Sequence, residues 1–175
     1  QDRSSAASDV YKRQRLWKHL MRKGEPFGMV FSSMQAMNIR RIEAGILDSG
    51  SDFDNSMTPF EAGLGKFVDF NKKGFIGHDA LRIATPGTRL FGLRCCDAIP
   101  HGSDMIVCDS TSVGKVTTGA VSPYLDCGIG YVRFDKPSDW SGKILTLRSR
   151  QFGDVACKIV DLPFYDQEKA LPRGL

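Results

Sequence analysis

The chain has 175 residues, of which 41% are hydrophobic and 25% charged, with a formal net charge of +4. That length can bury one domain core, or one small domain and part of another, and the composition excludes a disordered chain or a coiled coil. No apolar run approaches the roughly 20 residues needed to cross a bilayer, and no apolar signal segment opens the chain. Apart from a cluster at 12–23, the basic residues are too dispersed for a nucleic-acid surface, so the expectation is a cytoplasmic protein with neither nucleic acid nor membrane as partner.

Residues 1–14 (QDRSSAASDVYKRQ) combine Ser and Ala clusters with no sustained helical or strand period. They are read as a non-native or disordered scar and set outside the fold. Leu16, Trp17, Leu20 and Met21 then recur at helical spacing, with Gly24 placed to end a helix and Pro26 beyond it. Ser32-Ser33-Met34-Gln35 reads as a capping box opening a second helix over 33–44, with Gly45 at the left-handed position that closes it. On that helix Met37 and Arg41 share one face with Asn38, while Ile39 and Ile42 mark an apolar one.

Thr58-Pro59-Phe60-Glu61 repeats the capping logic, but Gly63 and Gly65 follow at once. This predicts a single helical turn leading into a strand over 66–70. A short helix follows over 77–83, and Thr85-Pro86-Gly87 then marks a domain boundary. Beyond it, six β-type runs occupy 89–96, 105–109, 113–121, 128–134, 143–148 and 155–162, the third ending in a turn at Gly119 or Ser122. Six short strands without an intervening helix fit a small antiparallel barrel, so the fold class is α+β.

The five cysteines, Cys95, Cys96, Cys108, Cys127 and Cys157, form an odd set with no Cys-x-x-Cys pair. Reduced thiols filling a β-rich core account for them better than a disulfide framework or a zinc site. His78 and His101 lack neighbours at metal-ligand spacing, and His19 sits on a helix between Trp17 and Leu20, so no metal site is expected. Neither a Gly-x-Ser-x-Gly elbow nor a complete dinucleotide fingerprint is present.

Several blocks in order carry more than any one alone: Arg41-Ile42-Glu43-Ala44-Gly45, Thr58-Pro59-Phe60-Glu61-Ala62-Gly63-Leu64-Gly65, Phe75-Ile76-Gly77, Gly114-Lys115-Val116-Thr117-Thr118-Gly119, Ser122-Pro123 and Asp161-Leu162-Pro163-Phe164-Tyr165. Across 15–169 they resemble the folate-dependent aminomethyltransferases, of which the glycine-cleavage T-protein is the type member. The resemblance implies that 15–85 form the C-terminal remnant of a folate-binding α+β domain, 86–168 a six-stranded antiparallel β-barrel, and 169–175 a tail. It identifies the chain as a C-terminal fragment of such a protein.

The same resemblance implies tetrahydrofolate as the cofactor and a small amine or sulfonium as the one-carbon donor. A lipoyl carrier protein would be a further partner of a true T-protein. The family's catalytic acid and pterin-binding glutamate lie upstream of the matching segment, so no catalytic residue is expected here and the chain alone should be inactive. Arg41, Glu43 and Tyr165 are the candidate folate contacts, each with a structural alternative: the charged pair near a helix C-terminus either touches the folate tail or braces the interface between parts, and the aromatic ring at the end of the last strand either stacks on the folate or packs on the surface. Glu61 has a sufficient explanation as the carboxylate of a capping box.

T-proteins carry an Ala-Arg-Asp triplet at the position where this chain has Ala36-Met37-Asn38. The guanidinium that the family places at the folate site is therefore absent, and Met37 cannot replace its donors. The triplet is closer to that of the dimethylsulfoniopropionate demethylases and of the folate-binding parts of sarcosine and dimethylglycine dehydrogenases. Lys73-Gly74-Phe75 lacks the cysteine of the iron-sulfur maintenance branch. Three readings stay open: a methyl or aminomethyl transferase, a non-catalytic folate-binding or interaction module, and the tail of a flavin-linked amine dehydrogenase.

Overall fold

The computed structural model describes residues 2–174, with side chains from Asp9 onward except that of Pro172. Gln1 and Leu175, at the ends of the expected scar and tail, lie outside the described residues. The chain divides into two compact units, 1–37 and 38–175.

In the first unit, α1 (Asp2–Gly24) is helical through the stretch expected to have no regular structure. The Ala, Arg, Lys and Gln in that stretch are strong helix formers, and their propensity acts without any apolar period to reveal it. As expected, the helix ends at Gly24, and a 3-10 turn, Glu25–Phe27, follows with Pro26 in it. Trp17 packs edge-on against Phe31 with ring centroids 5.4 Å apart. The second helix, α2 (Met34–Glu43), opens one residue later than the capping box predicts. The Ser33 hydroxyl, rather than that of Ser32, accepts from the Ala36 N–H at 3.1 Å.

The second unit is built on a closed barrel of β1 (Leu90–Cys95), β2 (Met105–Cys108), β3 (Thr111–Ser122), β4 (Cys127–Phe134), β5 (Ile144–Ser149) and β6 (Gly153–Val160). The strand order around it is β1-β4-β3-β2-β5-β6, and every pairing is antiparallel. All six predicted strands are therefore present, and β3 ends at Ser122. The barrel interior is filled by alternate residues of its strands, among them Leu93, Ile106, Val116, Phe134, Leu147 and Ile159. Closure leaves no edge to protect, which suits strands this short.

One strand departs from the expected alternation of buried and exposed residues. Apart from Arg133, β4 is buried throughout: Val132 and Phe134 join the interior, while Ile129 and Tyr131 join a second cluster with Ile42, Leu90 and Cys127. The C-terminal end of α2 covers that outer face of the barrel, and Leu162 and Phe164 pack on it from the chain beyond β6. Phe164 stacks on Tyr131 at 6.2 Å with the rings nearly parallel.

Between α2 and the barrel, regular structure is sparse. Thr58 and Glu61 form the predicted capping box, with Thr58 N–H donating to Glu61 Oε2 at 2.8 Å and Glu61 N–H to Thr58 Oγ1 at 3.2 Å. The strand expected over 66–70 is absent, and a 3-10 turn, Gly65–Phe67, stands there instead. Its backbone has no strand beside it to pair with, and a lone β-run cannot satisfy its own N–H and C=O groups. The helix α3 (His78–Ile83) forms as predicted.

Candidate functional site

The Arg41-Ile42-Glu43-Ala44-Gly45 block is the end of α2 and its termination. Gly45 adopts φ +70°, and the chain closes with Gly45 N–H donating to Ile42 O at 3.0 Å and Ile46 N–H to Arg41 O at 2.8 Å. These two bonds make a Schellman motif, which satisfies carbonyls that a helix end leaves free. A side chain at Gly45 would be strained by that φ and would also press on Pro163. Tyr131 reaches the same end from β4, its hydroxyl lying 3.1, 3.0 and 3.2 Å from the carbonyls of Arg41, Ile42 and Ile46. Burial, reinforced by the charge of Asp52, pushes the Tyr131 phenol well above its ordinary range, so it remains a neutral donor.

Arg41 is held on several sides. Its Nη1 donates to Asp52 Oδ2 at 2.7 Å and its Nε to Asn38 Oδ1 at 2.8 Å, with Thr118 Oγ1 at 3.4 Å from Nη2. Asp52 is fully buried and accepts two further bonds at 2.8 Å, from Thr117 Oγ1 and from the Asp48 N–H. Consecutive strand residues ordinarily face opposite sides. A register shift between Val116 and Thr118 breaks that rule and brings both threonine hydroxyls to one ion pair. A bulge so placed re-aims side chains, and here it completes the partners of a buried charge.

Glu43, 1% exposed, turns to a different partner: the Ser122 hydroxyl donates to its Oε1 at 2.6 Å and in turn accepts the Leu125 N–H at 3.0 Å. Arg41 and Glu43 form no ion pair with each other among the described residues. Tyr165 lies against Tyr124 with ring centroids 4.4 Å apart. Of the three expected folate contacts, the two charged ones fasten the end of α2 to β3, and the third packs on a surface tyrosine. Glu61, besides its capping role, accepts from Arg89 Nη1 at 3.3 Å. The Thr58 N–H, more than Arg89, holds the Glu61 carboxyl below its usual range.

One concave surface of this unit lies beside that fastening. A cleft of about 510 Å³ is lined by Ile46, Leu47, Leu64, Phe67 and Leu162, with Lys66 and Lys169 among its walls. Lys169 Nζ donates to the Ala44 carbonyl at 2.6 Å, near the negative end of α2. Lys66 Nζ stands 5.3 Å from the centre of the Phe67 ring, without an acidic partner among the described residues. An apolar trough with two ammonium groups can bind a flat organic anion, because its walls take the ring system and the cations take the carboxylate. Sequence reasoning missed both lysines. Lys66 follows Gly63-Leu64-Gly65 directly, where irregular backbone rather than a strand is the signal that would have found it.

No group of His, Cys, Asp or Glu among the described residues could hold a metal ion. All five cysteines are free, with Cys95, Cys127 and Cys157 buried. No helix among the described residues is long and apolar enough to cross a membrane.

The fold and this fastening define a closed six-stranded antiparallel barrel clasped on its outer face by the end of an α-helical segment. Two family models match the chain in that order, the GCVT N-terminal domain over 8–72 and the glycine cleavage T-protein C-terminal barrel domain over 88–166. The aminomethyltransferase of Halothermothrix orenii is 34% identical over 155 residues, covering 85% of this chain and 43% of that protein. A probable aminomethyltransferase of Natronomonas pharaonis is 38% identical over 142 residues, 75% of this chain and 38% of the other. The crystal structure of glycine cleavage system aminomethyltransferase T from Bartonella henselae superimposes with a TM-score of 0.64 at 24% identity, over 75% of this chain and 38% of that one. The chain belongs to the glycine-cleavage T-protein (aminomethyltransferase) family. It spans less than half the length of these relatives.

Proposed function

We propose that the chain is the C-terminal part of a tetrahydrofolate-dependent aminomethyltransferase or methyltransferase that takes a one-carbon unit from a small amine or sulfonium donor. Family membership supports the reaction class, and the observation that carries the cofactor assignment is the cleft beside α2. Its apolar walls suit the flat rings of a folate, and Lys66 and Lys169 suit its carboxylate tail. When bound, tetrahydrofolate supplies the nitrogen that receives the one-carbon unit. The part played by this chain is to hold and orient, since positioning reactants is itself a large share of catalysis. The fastening of Arg41 to Asp52 and of Glu43 to Ser122 keeps one cleft wall, Ala44 to Leu47, in place against the barrel. Proton transfer falls to an acid outside the matched segment. A cytoplasmic setting, a small-molecule donor and, for a strict T-protein, a lipoyl carrier complete the proposal.

The test is to incubate the complete gene product with tetrahydrofolate and amine or sulfonium donors and to follow the one-carbon product. Turnover is expected, and Lys66→Glu should weaken folate binding about tenfold or more, the loss of one charge-assisted hydrogen bond. Folate binding without turnover on any donor would instead establish the second reading, a non-catalytic folate-binding module. Neutral Met37, where the family carries arginine, is the observation that favours that reading.

A further inference from the structure

The seam between β1 and β6 joins the first strand of the barrel to the last, and it is short: Gly92↔Val160, Leu93↔Ile159 and Arg94↔Lys158. One residue further along the same register, Cys95 comes opposite Cys157. Alternation puts both on the inner face, with Leu93 and Ile159, and both belong to the interior cluster at 1% and 2% exposure. The Cys95 thiol lies 3.3 Å from the carbonyl oxygen of Ala156, the residue before Cys157. Opposed residues of an antiparallel pair have Cα atoms about 4.5–5.5 Å apart, inside the span of about 4.4–6.8 Å that a disulfide bridges.

We infer that Cys95 and Cys157 form a cross-strand disulfide that staples the barrel seam when the protein meets a thiol oxidant. Each thiol gives up a proton and the pair gives up two electrons as the S–S bond forms. A low-molecular-weight disulfide accepts them and leaves as two thiols, and an azodicarboxamide accepts them as the hydrazine. Burial, reinforced by the neighbouring Cys95, pushes the Cys157 thiol up to about 12. The thiolate that attacks is therefore scarce, and the reaction is slow in the closed barrel and faster whenever the seam opens. Cys96 is exposed but faces away from the interior, and Cys108 lies on β2, which does not pair with β1 or β6. Neither competes for this bond.

The test is to treat the folded protein with diamide, block free thiols, digest without reduction and locate the linked residues by fragmenting the joined peptides, because the adjacent Cys95 and Cys96 share one peptide. The expected product joins the Cys95 peptide to the Cys157 peptide with loss of two hydrogens, and its formation should raise the denaturant midpoint until dithiothreitol restores it. Cys157→Val should abolish the linked product, and Cys96→Ser should leave it unchanged. A linkage through Cys96 or Cys108 in its place, or no linkage while the barrel remains folded, overturns the inference. Should Cys157→Val fail to fold, the linked-peptide assignment in the Cys96→Ser protein decides by itself.

Discussion

The barrel and the segment that precedes it, residues 44–87, are ordered by different means. In the barrel Leu93, Ile106, Leu147 and Ile159 are wholly buried, and each strand has a hydrogen-bonded neighbour on both sides. In the segment Phe67 is 74% exposed and Ile83 88%, and no strand pairs with it. What orders the segment is a set of polar fasteners: the Schellman end of α2, Arg41 on Asp52, the Thr58–Glu61 box and Glu61 on Arg89. Apolar area sustains the barrel, whereas directional bonds add to the packing of Leu47 and Met57 in holding the cleft wall onto it. The barrel should therefore answer to volume changes and the segment to charge.

Leu93→Ala should have the largest effect, about 2–5 kcal/mol of global stability in a denaturant melt, because it opens a cavity that a closed barrel cannot collapse around. Asp52→Ala should cost about 3 kcal/mol, the low end for breaking a buried pair from one side, since Arg41 keeps some access to water. Its signature is selective: amide protection should fall in residues 46–53 before it falls in the strands. A uniform loss across the barrel would break the contrast between the two regions.

Acid sharpens the same contrast. Hydrogen bonds from Ser56, followed by Arg133, lower Asp54 from 3.8 to about 2, and the Thr58 N–H lowers Glu61. A depressed carboxylate contributes stability that is complete above its unfolded pKa and is lost as pH falls through the folded one. Between about pH 4 and pH 2, amide protection in 54–62, taken relative to the intrinsic exchange rate at each pH, should therefore fall while that of β1 and β4 holds. The smallest effect is expected at the surface. Ile83→Ser should change stability by no more than about 0.5 kcal/mol. It should nevertheless reduce binding of an exposed-hydrophobe dye, which the uncovered apolar side chains of the segment predict for the unmodified chain.

Much of the barrel was legible because strand propensity, turn residues and regular spacing all agreed, and all six strands follow from that agreement. The strand expected at 66–70 failed because a β-run is stable only with a partner, which pattern cannot reveal. Helix α1 was missed over 2–14 because its signal is propensity without an amphipathic period. The signature block at Arg41 was visible in the sequence, but its physical use was not: Asp52, Thr117, Ser122 and Tyr131 lie from 11 to 90 residues away from the groups they hold. A pair of threonines interrupting the alternation of β3 was the available hint. The cleft lysines were invisible because they become neighbours only when the chain beyond β6 folds back.

The most direct measurement is a titration of the chain with tetrahydrofolate followed by amide and methyl NMR. Saturable shifts are expected at Ile46, Leu47, Leu64, Phe67 and Leu162, weakened by Lys66→Glu, with the barrel interior unmoved. Shifts confined to other surfaces, or none at the cleft at millimolar ligand, would contradict the folate assignment.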